Sequence, residues 1–256
     1  MCHDYNAHPP IPPISGGAAD GQDIVLTSRD GNRFAAYIAY SAQTRSPQVL
    51  IFPDVRGLHP FYKELALRFA ETGVRAMAID YFGRTAGLAP RDESFEYGPH
   101  VEQMRMPSFL DDVAAAVDYL HAQSNAGRPT FIVGFCRGGT LALLAGTEKF
   151  DLSGIVLFYS GLSRTIPGSK ASTLEQASQI QYPVLGLFGG ADPSIPADQI
   201  EQLDKNLDTA GVKHEIVVYP GAPHSFFDRR YAEFADASAD AWKRVLSFVG
   251  RQGKEK

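Results

Sequence analysis

From residue 48 onward the chain carries six short, nearly unbroken apolar runs: QVLIFP, RAMAID, TFIVGF, GIVLFYS, VLGLFGG and HEIVVY. Runs of this length without polar alternation predict strands covered on both faces, as in a parallel sheet. Between them, apolar residues recur at three- and four-residue spacing in FYKELALRFAETG, SFLDDVAAAVDYLHAQ, ALLAGTEKF, ADQIEQLDKNLDTAG and YAEFADASADAWKRVLSFVG. Three of these segments end at a glycine, and two of those glycines are suited to closing a helix. Strand and helix alternating about six times predict an α/β protein with a doubly wound, mostly parallel sheet.

Upstream the period changes. DIVLTS and RFAAYIAY flank the turn signal RDGN, which predicts an antiparallel hairpin at the start of the sheet. Residues 1–22, rich in Pro, Gly, Ala and Asp, lack the apolar content to order themselves and are expected to form a flexible arm, with 23–256 as a single domain. Two segments, 81–107 and 161–183, interrupt the alternation. Each follows the C-terminal end of a predicted strand, where open α/β sheets bind ligands, so both are expected to shape a pocket.

Composition narrows the function classes. At 256 residues and 44% hydrophobic content the chain can bury one substantial core. The formal charge of −5 comes without any long single-sign run, which argues against nucleic acid and against a polybasic membrane anchor. No basic stretch followed by an apolar one opens the chain, and no apolar run approaches the roughly 18 residues of a membrane span, so a soluble, cytoplasmic protein is expected. Two cysteines, Cys2 and Cys136, are too few for a disulfide framework and fit a reducing compartment.

The chemistry concentrates at strand ends. GFCRGGT, residues 134–140, sits between a predicted strand and a predicted helix and has the layout of a nucleophile elbow, with cysteine at the nucleophile position. Gly134 and Gly138 lie two residues either side of Cys136, where a strained turn needs small residues for strand and helix to pack closely. The helix that starts there offers N–H groups and a partial positive charge to a thiolate or an oxyanion. Taken alone, the stretch also fits a buried cysteine in a glycine-rich turn, or a phosphate-binding turn, although neither GxGxxG nor a Walker A sequence is present. Downstream, Asp192 in GGADPSIP and His224 in PGAPHSFF each follow a predicted strand, in the order nucleophile, acid, base. The oxyanion is expected to meet the backbone N–H groups of Arg137 and of Val55, the latter in FPDVRGLHP, with Asp54 close to Cys136. The seven histidines show no HExxH or other ligand-spaced pairing, so neither metal nor cofactor is expected.

With these motifs in place the chain resembles the dienelactone hydrolase family of α/β hydrolases, from roughly residue 23 to the C-terminus and including PDVRGL, AIDYFGR and DDVAAAVDYL. The resemblance implies an α/β-hydrolase fold and a Cys136–His224–Asp192 triad. It further implies that Asp54 stands where the best-known members hold the resting thiol with a glutamate one methylene longer. The family also binds its substrate's carboxylate through arginines, one of them shortly after the catalytic histidine. Here Asp228 takes that place, with Arg229 and Arg230 just beyond. Arg84, Arg105, Arg137 and Arg229 are the candidates for anion recognition, and Phe226 and Phe227, with the aromatic residues of 81–97, for pocket walls. The expected activity is hydrolysis of a small ester or lactone by a monomer or homodimer. A broad carboxylesterase or thioesterase keeps the same triad; a non-catalytic thiol sensor or binding protein on the same scaffold is the rival of another class.

Overall fold

The computed structural model describes residues 7–14, 19–41, 46–123, 127–228 and 230–252. Among them eight strands form one sheet: β1 (Ala19–Thr27), β2 (Arg33–Ser41), β3 (Gln48–Phe52), β4 (Arg75–Ile79), β5 (Thr130–Phe135), β6 (Gly154–Phe158), β7 (Val184–Gly189) and β8 (His214–Tyr219). Their order across the sheet is β1-β2-β4-β3-β5-β6-β7-β8. β1 pairs antiparallel with β2, and β2 with β4; every other pairing is parallel. All positions of β3 through β7 are buried, whereas β1 and β2 are only partly covered and β8 is half-buried. Continuous apolar runs are therefore the central strands, and mixed runs are the margins.

The hairpin turns at Gly31, whose φ of 86° a side-chain-bearing residue adopts only with strain. β1 begins at Ala19, inside the segment expected to be an arm, because Ala19–Gln22 find backbone partners along β2 from Ser41 to Ile38. Ahead of it, His8 Nδ1 lies 2.7 Å from Glu64 Oε2, the Ile14 N–H donates to Glu71 Oε2 at 3.0 Å, and Ile11 is buried. Cys2 lies outside the described residues.

The helices are α1 (Pro60–Glu71), α2 (Gly83–Ala86), α3 (Tyr97–Gln103), α4 (Met106–Ala122), α5 (Arg137–Ala145), α6 (Thr173–Gln176), α7 (Ala197–Thr209) and α8 (Ala235–Gln252). Phe69 of α1 meets Trp242 of α8 with ring centroids 4.6 Å apart, so these two helices cover one face of the sheet together. α5 starts earlier than the periodicity of ALLAGTEKF implies, since the glycines in its first turn carry no hydrophobic signature. α8 starts later than YAEFADASADAW implies, because residues up to Phe234 form successive turns, with the Phe234 N–H donating to the Arg230 and Tyr231 carbonyls. No helix among the described residues is long and apolar enough to cross a membrane. Since β3 to β8 run parallel, the segments after them emerge at one edge of the sheet: Pro53–His59, Asp80, Cys136, Tyr159, Asp192 and Pro220–His224.

Candidate active site

Cys136 sits between β5 and α5 with φ 53° and ψ −114°, a conformation disfavoured for any residue with a Cβ. It is held there from both sides. Its N–H donates to the Phe158 carbonyl at 3.0 Å, and its own carbonyl accepts from the N–H groups of Gly139 at 3.1 Å and Thr140 at 3.2 Å. The glycines are sterically required: a Cβ on Gly134 would lie 2.3 Å from the Gly138 carbonyl oxygen, and one on Gly138 would lie 2.2 Å from the carbonyl oxygens of both Phe52 and Pro53. As the first residues of α5, Arg137 and Gly138 present N–H groups that have no acceptor within the helix.

At the ends of β7 and β8 the structure brings Asp192 and His224 together, Oδ2 to Nδ1 at 2.6 Å. The other carboxylate oxygen of Asp192 accepts from the Ser194 N–H at 2.9 Å and its hydroxyl at 2.6 Å. Burial pushes this carboxyl up, but the hydrogen bonds from His224 and Ser194 outweigh it and hold the group below its ordinary value. With a proton on Nδ1 facing the aspartate, the lone pair of Nε2 would be free to accept a proton. The Asp192 carboxylate is enclosed, while the imidazole is 27% exposed.

Between these halves lies the end of β6. Phe158 holds the elbow through its carbonyl, and the next ring, Tyr159, packs on the His224 imidazole at 5.0 Å. On the other flank Asp54 is wholly buried: its N–H donates to the Tyr62 hydroxyl at 2.9 Å, and its Oδ1 accepts from the Arg56 N–H at 2.8 Å. The Tyr81 hydroxyl donates to the Asp54 carbonyl. Burial above all, with the charges of Asp54, Cys136 and Asp80 and against that of Arg137, holds the Tyr81 phenol well above its ordinary value, so it stays protonated. One phenol thus shares its surroundings with Asp54, Cys136 and Arg137. Tyr81 stood in the sequence within AIDYFGR and among the aromatic residues of 81–97, whereas nothing marked Tyr159.

The arginines separate into distinct groups. Arg84, a candidate for anion recognition, donates to both oxygens of buried Asp112 at 2.9 Å and to Asp30 at 2.5 Å, so its charge is answered within the protein. Arg105 is exposed at the start of α4 and donates to the Glu102 and Met104 carbonyls at 2.8 and 3.0 Å. Arg229 lies outside the described residues. Phe226 is corrected, from pocket wall to core, being 0% exposed and packed on Phe158, Tyr159 and Tyr219. Arg137 differs from all of these. Its side chain reaches the Val101 carbonyl and Met104 Sδ only at 3.5 Å, and its buried Nε has no hydrogen-bond partner among the described residues. Burial, reinforced by the charge of Arg164, pulls its guanidinium below the usual range.

Donor atoms that could hold a metal converge at one place among the described residues, Asp204, Asp208 and His214, within 4.8 Å of one another. They lie where β8 begins, at the edge of the sheet opposite Cys136, and both aspartates are exposed.

The chain shares its fold with a solved structure described as a putative dienelactone hydrolase from Klebsiella pneumoniae subsp. pneumoniae MGH 78578, with a TM-score of 0.79 and 25% identity over 91% of this chain and 99% of that one. The fold is that of the α/β hydrolases. A protein of Bradyrhizobium sp., named "Probable 2-oxo-3-(5-oxofuran-2-ylidene)propanoate lactonase", is 32% identical over 89% of this chain and 93% of its own length. One of Synechocystis sp., named "Putative carboxymethylenebutenolidase", is 30% identical over 87% and 93% respectively. The model of the dienelactone hydrolase family matches residues 34–253, from β2 through α8, and so takes in the elbow, the Asp192–His224 pair and the Asp54 loop alike. The chain belongs to the dienelactone hydrolase family.

Proposed function

We propose that the protein hydrolyses small esters or lactones through a thioester on Cys136. The observation that carries this reading is the 2.6 Å Asp192–His224 pair standing at the same sheet edge as the strained elbow. His224 Nε2 accepts the thiol proton, and the thiolate attacks the substrate carbonyl carbon. The N–H groups of Arg137 and Val55 receive the oxyanion. On collapse the C–O bond breaks and the alkoxide, or the opened lactone oxygen, takes the proton back from His224. Water, deprotonated by His224, then cleaves the thioester, and the returning proton restores the resting site. We assign control of the resting thiol to Asp54, the enclosed acid that faces Tyr81 together with Cys136. Arg137, half-buried and without a carboxylate partner among the described residues, is the guanidinium we assign to an anionic group on the substrate.

The names of the Bradyrhizobium and Synechocystis relatives favour a lactone. The test is turnover of p-nitrophenyl acetate and of a carboxylated five-membered enol lactone by wild type and Cys136→Ala. Loss of both activities in a folded variant, with acylation of wild-type Cys136 seen by mass spectrometry, is expected. Full activity in Cys136→Ala overturns the mechanism, and a preference for neutral aryl esters overturns the lactone assignment.

A further inference from the structure

Tyr159 is one of four non-glycine residues with positive φ among the described residues, at 36°, and two of the others, Cys136 and Ser225, belong to the elbow and the His224 turn. A bulky aromatic residue in that region of φ is strained and persists only where its surroundings over-determine it. They do so here. The Tyr159 N–H donates to the Leu187 carbonyl of β7 at 2.9 Å, while the preceding carbonyl, of Phe158, holds Cys136. The side chain is 0% exposed, and its ring lies against His224 at 5.0 Å and edge-on to Phe226 at 5.7 Å. Its hydroxyl donates to Oδ2 of Asp228 at 2.8 Å, and Asp228 is likewise 0% exposed. The Asp228 N–H closes back on the Ser225 carbonyl at 3.2 Å, so the carboxyl group that receives the phenol belongs to the same turn that carries His224.

We propose that Tyr159 and Asp228 are positioning residues for the imidazole of His224. The Asp192 hydrogen bond fixes Nδ1 but still lets the ring swing about the line joining Nδ1 to Oδ2. The Tyr159 ring, tilted 58° to the imidazole at 5.0 Å, limits that swing, and the hydroxyl contact to Asp228 ties the far end of the phenol to the backbone turn that sets where His224 starts. A two-residue step, Phe158–Tyr159, therefore holds nucleophile and base in one frame, which is what proton transfer between them requires. It also gives a purpose to the acid that stands at position 228 in place of an arginine. The carboxyl group is spent inward on the catalytic loop, with no exposed surface left for a substrate.

The proposal rests on the esterase reading above, and the experiment separates the two. Tyr159→Phe keeps the ring and loses the hydroxyl; Asp228→Ala removes the acceptor, and Asp228→Asn restores one. Tyr159→Phe and Asp228→Ala are each expected to lower kcat on p-nitrophenyl acetate by roughly tenfold to a hundredfold, with KM within about twofold. Asp228→Asn is expected to recover most of the loss. In parallel, ¹⁵N-histidine NMR without substrate should show a single Nδ1-protonated His224 in wild type, and broadened or split ring signals in the first two variants. Unchanged kcat and unchanged His224 signals in Tyr159→Phe, whose near-ultraviolet circular dichroism reports whether it folds, overturn the proposal even if Asp228→Ala does not fold. If wild type hydrolyses no ester, the functional reading fails while the ring signals still decide the brace.

Discussion

Replacing Gly138 by alanine tests the elbow and the oxyanion loop at once. The added Cβ would lie 2.2 Å from the carbonyl oxygens of Phe52 and Pro53, where ordinary contact begins at 3.4 Å. Both obstacles are backbone, so no side-chain rotation relieves them, and α5 and the end of β3 must separate by about an ångström. Such overpacking costs about 1–3 kcal/mol, which in a chain of this length lowers Tm by roughly 2–10 °C. The larger effect is expected on rate. Phe52 and Pro53 lead directly into Asp54 and Val55, so the displacement opens the gap between the proposed oxyanion donors, one on α5 and one on the loop. A misplacement of about 1 Å at a reacting group can lower turnover on the order of a hundredfold. The assay pairs thermal unfolding with single-turnover acylation of Cys136 by p-nitrophenyl acetate. Gly98→Ala is the control: it is exposed on α3, its Cβ meets nothing within 4 Å, and the change is expected to be neutral or to stabilise by about 0.5–1 kcal/mol. A Gly138→Ala protein with wild-type Tm and wild-type acylation would falsify the close-packing argument for the elbow.

Arg137→Gln should raise KM for a carboxylated lactone by about 10- to 100-fold, the equivalent of one charge-assisted hydrogen bond, and leave a neutral ester little changed; equal effects on both substrates refute the anion assignment. Arg84→Gln should do the reverse, keeping KM and lowering Tm by several degrees, since it leaves the enclosed carboxylate of Asp112 without its guanidinium. Arg91→Met should destabilise by about 3–5 kcal/mol, because Arg91 and Asp80 form a 2.6 Å ion pair with both side chains buried; Asp80→Asn on top of it should restore part of that loss in urea unfolding. Asp192 has its carboxyl held below the ordinary value in the fold, so its contribution is present above roughly pH 4 and lost as pH falls through the folded value. Asp192→Asn should therefore flatten the acid limb of stability against pH, and an unaltered limb refutes the linkage.

Much of the architecture was legible because burial on both faces leaves a simple mark. The runs QVLIF, TFIVGF and VLGLFG are apolar without alternation because β3, β5 and β7 expose no face. That Cys136, Asp192 and His224 lie at one edge of the sheet was legible for a related reason: in a parallel sheet each strand end reaches the same edge. Charge partners follow no such rule. Arg84 and Arg137 look alike in sequence, yet one is answered by Asp30 and Asp112, 54 and 28 residues away, and the other by no carboxylate among the described residues. Phe226 shows the same limit for apolar residues, since membership of the core or of a pocket wall depends on Tyr159, just past β6, and Tyr219, at the end of β8.

The least legible feature is the conformational one. Glycine announces a positive φ, and Gly31 was readable as a turn for that reason. Cys136, Tyr159 and Ser225 adopt positive φ without any such residue type, because neighbouring segments force them to: β6 holds Cys136, β7 holds Tyr159, and the Asp228 N–H closes the turn at Ser225. Strain imposed by tertiary contacts has no local composition, so it appears only in three dimensions. Its distribution carries the functional content. Cys136 is the proposed nucleophile, Ser225 adjoins the proposed base, and Tyr159 touches that base while its neighbour Phe158 holds the nucleophile. Relaxing any one of the three should therefore disturb the alignment of Cys136 with His224 more than it disturbs the sheet beneath them.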